Sequence, residues 1–228
     1  MRIVLRTCST LVMLLGVSLS ATARQAPKKG TPPEFRITLC VYDDAGLPAR
    51  LLKDALSDTQ AILGDAGVAL VPVACTPSAT AEACHRDPGP LVVTLRVMRR
   101  PVPGSHAETA GSATGLNIAV NYLLVKSLAE SDGIFPERIL GCVIAHELGH
   151  VLLGPNSHSS KGVMTARWTD VQLQTIEHWS VLRFLPSQKQ RLRAYVVSQQ
   201  QMGSDPVPPS IFLARRNPED WPPTASLW

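Results

Sequence analysis

Apolar and polar side chains alternate through Phe35-Arg36-Ile37-Thr38-Leu39-Cys40-Val41-Tyr42, and a period of two predicts a strand. From Pro48 to Leu63 the period lengthens. Leu51, Leu52, Ala55, Leu56, Thr59, Ile62 and Leu63 recur at helical spacing, with Pro48 suited to the first turn. Gly67 to Ala74 reads as a second strand, whose Pro72 favours an edge or a bulge. Leu91 to Met98 is a third strand, apolar enough to be buried. The intervening stretches, Cys75 to Pro90 and Arg99 to Gly111, read as loops. Gly115 to Tyr122 alternates cleanly and is expected to be an edge strand, with Ile118 and Val120 facing a cleft where an extended peptide adds by backbone pairing. A helix over Leu123 to Ser131, broken at Asp132-Gly133, leads to a longer one that begins at Pro136 and buries Ile139, Leu140, Val143 and Ile144. Thr169 and Gln172 open a further helix with a capping-box pattern. Ser187 to Gln200 supplies the last, with Leu192, Tyr195 and Val196 as its apolar stripe. Strands and helices in this order predict an α+β domain.

The ends of the chain read differently. Arg2 and Arg6 precede an apolar run, Leu11 to Leu19, and then the small-x-small site Ala21-Thr22-Ala23. This is the pattern of a cleaved export signal, too short for a membrane span. Residues 1–23 are therefore expected to be a signal peptide, 24–34 a flexible leader, 35–201 the folded domain and 202–228 a proline-rich tail. The protein is expected to be secreted or periplasmic, a monomer, with no membrane span after cleavage. Losing Arg2 and Arg6 lowers the formal charge from +4 to +2, which is no nucleic-acid footprint. Cys40, Cys75, Cys84 and Cys142 then remain, an even number for an oxidising compartment. Cys75 and Cys84 are the best candidates for a local bridge, which leaves Cys40 and Cys142 as a second pair or as buried free thiols; four cysteines allow three connectivities and the sequence does not choose. No C-x-x-C is present, which argues against a structural zinc ribbon.

The chemistry lies in His146-Glu147-Leu148-Gly149-His150. Residues four apart stand on one face of a helix, so His146 and His150 can grip one metal ion. Glu147 beside them reaches a water on the metal rather than the metal itself. One zinc ion with three protein ligands keeps a position open and brings its water's pKa near neutrality. Glu147 is then the general base, and it hands the proton on to the leaving nitrogen. His158, just beyond the turn at Gly154-Pro155, is the expected third ligand. Glu177 on the following helix is the rival ligand, as in gluzincin-type hydrolases. His85, His106 and His178 have blander readings, the first two in loops and the third on a helix face.

An H-E-x-x-H helix, a turning glycine, a third histidine and then Met164 in a tight turn resemble the metzincin clan of zinc metallopeptidases. The resemblance covers Val143 to Thr165. It implies a zincin fold: a mixed twisted sheet with a backing helix and an active-site helix, then a smaller C-terminal helical subdomain. It also implies that His146, His150 and His158 hold the zinc, that Glu147 is catalytic, and that Met164 forms an apolar floor as the Met-turn residue. Val163 to Trp168 would then line a substrate pocket, with Trp168 at its boundary. The spacing departs from the clan's, in which glycine and histidine follow the second ligand by three and six residues. Here Gly154 and His158 follow His150 by four and eight. Ala166 stands where some clan members carry a tyrosine near the transition state. The expected activity is a secreted zinc metalloendopeptidase acting on a protein or peptide substrate. The alternatives are a gluzincin-type hydrolase and a secreted zinc- or peptide-binding protein without turnover.

Overall fold

The computed structural model describes residues 35–76, 91–102, 109–179 and 182–204. The expected signal and leader, Cys84, His85, His106 and the stretch from 205 onward lie outside the described residues.

Five strands form one sheet: β1 (Arg36–Asp43), β2 (Ala69–Cys75), β3 (Val92–Met98), β4 (Gly111–Thr114) and β5 (Asn117–Asn121), in the order β2-β1-β3-β5-β4. The first four in that order run parallel, while β4 pairs antiparallel with β5. Pro72 lies on the edge strand β2, opposite Leu39 of β1, where a missing amide costs the sheet least. Alternation decides the two faces. Ile37, Leu39 and Val41 of β1 join Val93, Leu95 and Val97 of β3 and Ile118 and Val120 of β5 in the main core. The intervening Cys40 and Tyr42 form a separate cluster with Cys75.

Five helices complete the described chain: α1 (Ala49–Asp65), α2 (Tyr122–Asp132), α3 (Pro136–Leu153), α4 (Asp170–Trp179) and α5 (Pro186–Ser204). α1 backs the sheet through Ala55, Ile62 and Leu63, which share the core with Ile139, Leu140, Ile144 and Leu148 of α3. The two helices approach closely because Gly141 has no side chain. A β-carbon there would lie 2.8 Å from the Ala55 carbonyl oxygen, and Thr59 Oγ1 donates across the contact to the Gly141 carbonyl at 3.1 Å. Each large aliphatic side chain buried in such a core contributes about 1.5–3 kcal/mol.

Three expectations change. The strand expected at Gly115 to Tyr122 is β5 and lies inside the sheet, because β4 covers its outer side. Ile118 and Val120 consequently face the core at 1% and 0% exposure, not a cleft. Cys40 and Cys142 are buried thiols and are not joined, since Cys40 lies in the small cluster with Tyr42 and Cys75 while Cys142, on α3, belongs to the main core. Cys75 is disulfide-bonded. Finally, α5 continues to Ser204, past the boundary expected at residue 201.

Candidate metal centre

α3 starts without a side-chain cap, its first turn set by Pro136, whose fixed φ suits that position. Eleven of its residues are buried, so the helix is held nearly all round and its few polar positions are fixed in direction. It ends at Gly154, whose φ of 97° and ψ of 167° lie outside the left-handed region in which a glycine commonly ends a helix. Pro155 explains the difference, because a residue before proline is pushed to extended ψ, and at this φ only glycine is at ease. The chain therefore leaves α3 extended and then returns with His158.

That return brings three imidazoles together. His150 Nε2 lies 3.0 Å from His146 Nε2 and 3.0 Å from His158 Nε2, and the ligand atoms of all three lie within 4.8 Å of one another. Two of the outer nitrogens are tied elsewhere. His146 Nδ1 is 2.8 Å from the Val163 carbonyl, and His150 Nδ1 is 3.3 Å from the Gly154 carbonyl and 3.2 Å from Ser157 Oγ. A carbonyl only accepts, so these partners assign the proton to Nδ1 and leave Nε2 with a lone pair. Burial also keeps the rings neutral. It drives the His146 pKa down to about 4 against the opposing pull of the Val163 carbonyl, and it lowers those of His150 and His158. Neutral imidazoles converging on one point, His146 and His150 braced through their outer nitrogens, suit a zinc ion.

Glu147 lies between these histidines in sequence but is not one of the converging group. Its side chain is 5% exposed and rests against Gly111 of β4, where an added β-carbon would lie 2.7 Å from Oε1. Burial pushes this carboxyl up to about 8.

Met164 is fully buried and packs under α3 at Gly149. Its turn is closed by Thr165, whose backbone amide and hydroxyl both donate to the Gly162 carbonyl, and by Gln172, whose Nε2 donates to Thr165 Oγ1 at 2.7 Å. The capping box is thus half realised: Gln172 Oε1 accepts from the Thr169 amide at 3.0 Å while its Nε2 is turned to the methionine's loop. Trp168 is half-buried, its indole directed at the Val163 carbonyl that His146 also uses. Glu177 and His178 are exposed on α4 and stand outside the converging group. Instead, the Glu177 backbone carbonyl accepts from Arg138. Gly111, Ser157 and Gln172 were not marked by sequence as parts of the site. Only Gly149, inside the motif itself, carried a signal.

Sheet, backing helix and buried histidine helix define a zincin-like fold with a three-histidine site. In keeping with that, the chain is similar to the crystal structure of archaemetzincin from Methanopyrus kandleri, with a TM-score of 0.51, 14% identity, and coverage of 73% of this chain and 99% of that one. At that identity the likeness is one of fold. No protein-family model and no curated protein matches the sequence.

Proposed function

We propose that this chain is an exported zinc-dependent metalloendopeptidase. The observation that supports it best is the convergence of three imidazoles at their Nε2 atoms, from His146, His150 and His158, beside the buried carboxyl of Glu147. One zinc ion held by the three imidazoles supplies Lewis acidity, lowering the pKa of water and polarising a peptide carbonyl. Glu147 takes the proton of the attacking water as the new C–O bond forms. It returns that proton to the amide nitrogen as the C–N bond breaks, so no net proton is needed. Met164 forms an apolar floor under the histidines, and Trp168 bounds a substrate pocket. An extended substrate strand pairs with β4, whose outer side has no neighbour in the sheet order among the described residues. Export by residues 1–23, with Cys75 bridged to Cys84 in the oxidising compartment, completes the reading.

Zinc content per chain, measured on the mature protein and on three variants, tests it. The expected result is one zinc in the wild type, lost in His158→Ala, kept in Glu177→Ala, and kept in Glu147→Gln while cleavage of a peptide library stops. Loss of zinc in Glu177→Ala alone would move the protein to the gluzincin type. Zinc binding with no cleavage by the wild type would favour a binding protein, and no zinc after reconstitution would sink the metal reading. Mass spectrometry of the exported fraction should find a new N-terminus at Arg24.

A further inference from the structure

His158 is the one histidine of the three that no regular element carries, and it is exposed. Its position depends on what holds the loop on either side of it. Ser157 and Ser159 are both engaged by one side chain from a distant helix. Gln188 Nε2 donates to Ser159 Oγ at 3.1 Å and to the Ser157 carbonyl at 3.5 Å. Gln188 is 7% exposed, and its other end is occupied as well, since Oε1 accepts from the Leu185 amide at 2.9 Å where α5 begins. Helix start and loop thus fix the amide in one orientation, oxygen to the helix and nitrogen to the loop.

We infer that Gln188 is a positioning residue for the metal centre, clamping the loop on both sides of His158, through the Ser157 carbonyl and the Ser159 hydroxyl, so that its imidazole meets those of His146 and His150. The inference rests on reading the three histidines as ligands. Ser157 extends the clamp, because its backbone carbonyl is held by Gln188 while its Oγ lies 3.2 Å from His150 Nδ1. One residue therefore fixes the loop that delivers the third ligand and the hydroxyl that orients the second. Ser159 closes the other side through its amide to the Met164 carbonyl at 2.9 Å and its hydroxyl to the Lys161 carbonyl at 2.8 Å. Gln172 repeats the device on α4, spending its oxygen on the helix start and its nitrogen on the turn of Met164. Partners that orient metal ligands are worth about 10–100-fold in metal affinity.

Gln188→Glu separates positioning from folding, since it keeps the acceptor for Leu185 and sets an oxygen against the Ser157 carbonyl. Gln188→Met is the uncharged counterpart, and Lys189→Ala loosens α5 from Asp65 without touching the loop. Two readouts are taken: cobalt and zinc affinity by chelator competition, and hydrogen exchange of the peptide spanning residues 155–160 in the metal-free protein. The expected result is affinity lowered at least about tenfold and faster exchange in both Gln188 variants, with Lys189→Ala close to wild type. Wild-type affinity and exchange in both Gln188 variants would overturn the inference, as would an equal loss in Lys189→Ala. A wild type that binds neither metal would overturn the metal reading, and exchange would still decide whether Gln188 holds the loop.

Discussion

Gly149 and Met164 interlock: a β-carbon at Gly149 would lie 2.1 Å from Met164 Sδ and 3.0 Å from Phe184 Cε1. The glycine one residue before the second histidine is thus the space into which the thioether fits. Gly149→Ala must push Met164 out of a fully buried site or lift α3 away from it, and overpacking of this kind costs about 1–3 kcal/mol. We expect a lower Tm in the metal-free protein and weaker zinc binding. Adding Met164→Ala to Gly149→Ala should recover part of the loss, giving a coupling energy that a double-mutant cycle reads directly. Additive effects would show that the two residues do not share that space.

Gly111 plays the corresponding part for Glu147. An alanine β-carbon would meet the carboxylate at 2.7 Å from Oε1 and 2.8 Å from Cγ, with none of the three histidines among the nearest atoms it would meet. Gly111→Ala should therefore keep one zinc per chain and lower kcat at least about tenfold, because a displaced general base loses the geometry that makes proton transfer efficient. Loss of zinc together with turnover would mean that β4 supports the histidines as well.

Gly111 also marks where the sequence falls silent. α1 and β3 were legible because each buries chiefly one face, so water imposes a period of two or 3.6 on the side chains, and β1, though buried on both faces, still alternates because only one of them joins the main core. β4 is Gly-Ser-Ala-Thr, four small residues with no large apolar side chain to alternate. It is a strand through its pairing with β5, Ala113 opposite Ile118, and that pairing cannot be read from its own residues. Missing it made Ile118 and Val120 look like cleft residues. The converging histidines were legible for the opposite reason, since two lie four apart on one helix and the third follows the first turn. Gln188 and Ser157 were not, because a glutamine three residues into a helix looks the same whether it faces solvent or a loop. The two residues added between His150 and His158 were legible only as a departure, and the Gly154-Pro155 pair shows how the backbone absorbs them.

Asp65 at the end of α1 ties down the start of α5, the turn that carries Gln188. Its carboxylate lies 2.6 Å from Lys189 Nζ and 3.1 Å from Arg183 Nη1. Burial alone would raise its pKa, but the hydrogen bonds and charges of Lys189 and Arg183 outweigh it and hold the carboxyl below its ordinary 3.8. A depressed folded pKa means that the unfolded chain binds the proton more readily, so the stabilisation is complete above the unfolded value and is lost as pH falls through the folded one. Both pairs are partly exposed, and solvent screening limits the contribution to under about 1 kcal/mol. Asp65→Asn should accordingly lower the Tm of the metal-free protein slightly at pH 7 and at low salt. The gap to wild type should close below pH 3.8 and shrink as salt is added. A gap that stays constant as the pH is lowered would assign the loss to packing of the side chain instead of its charge.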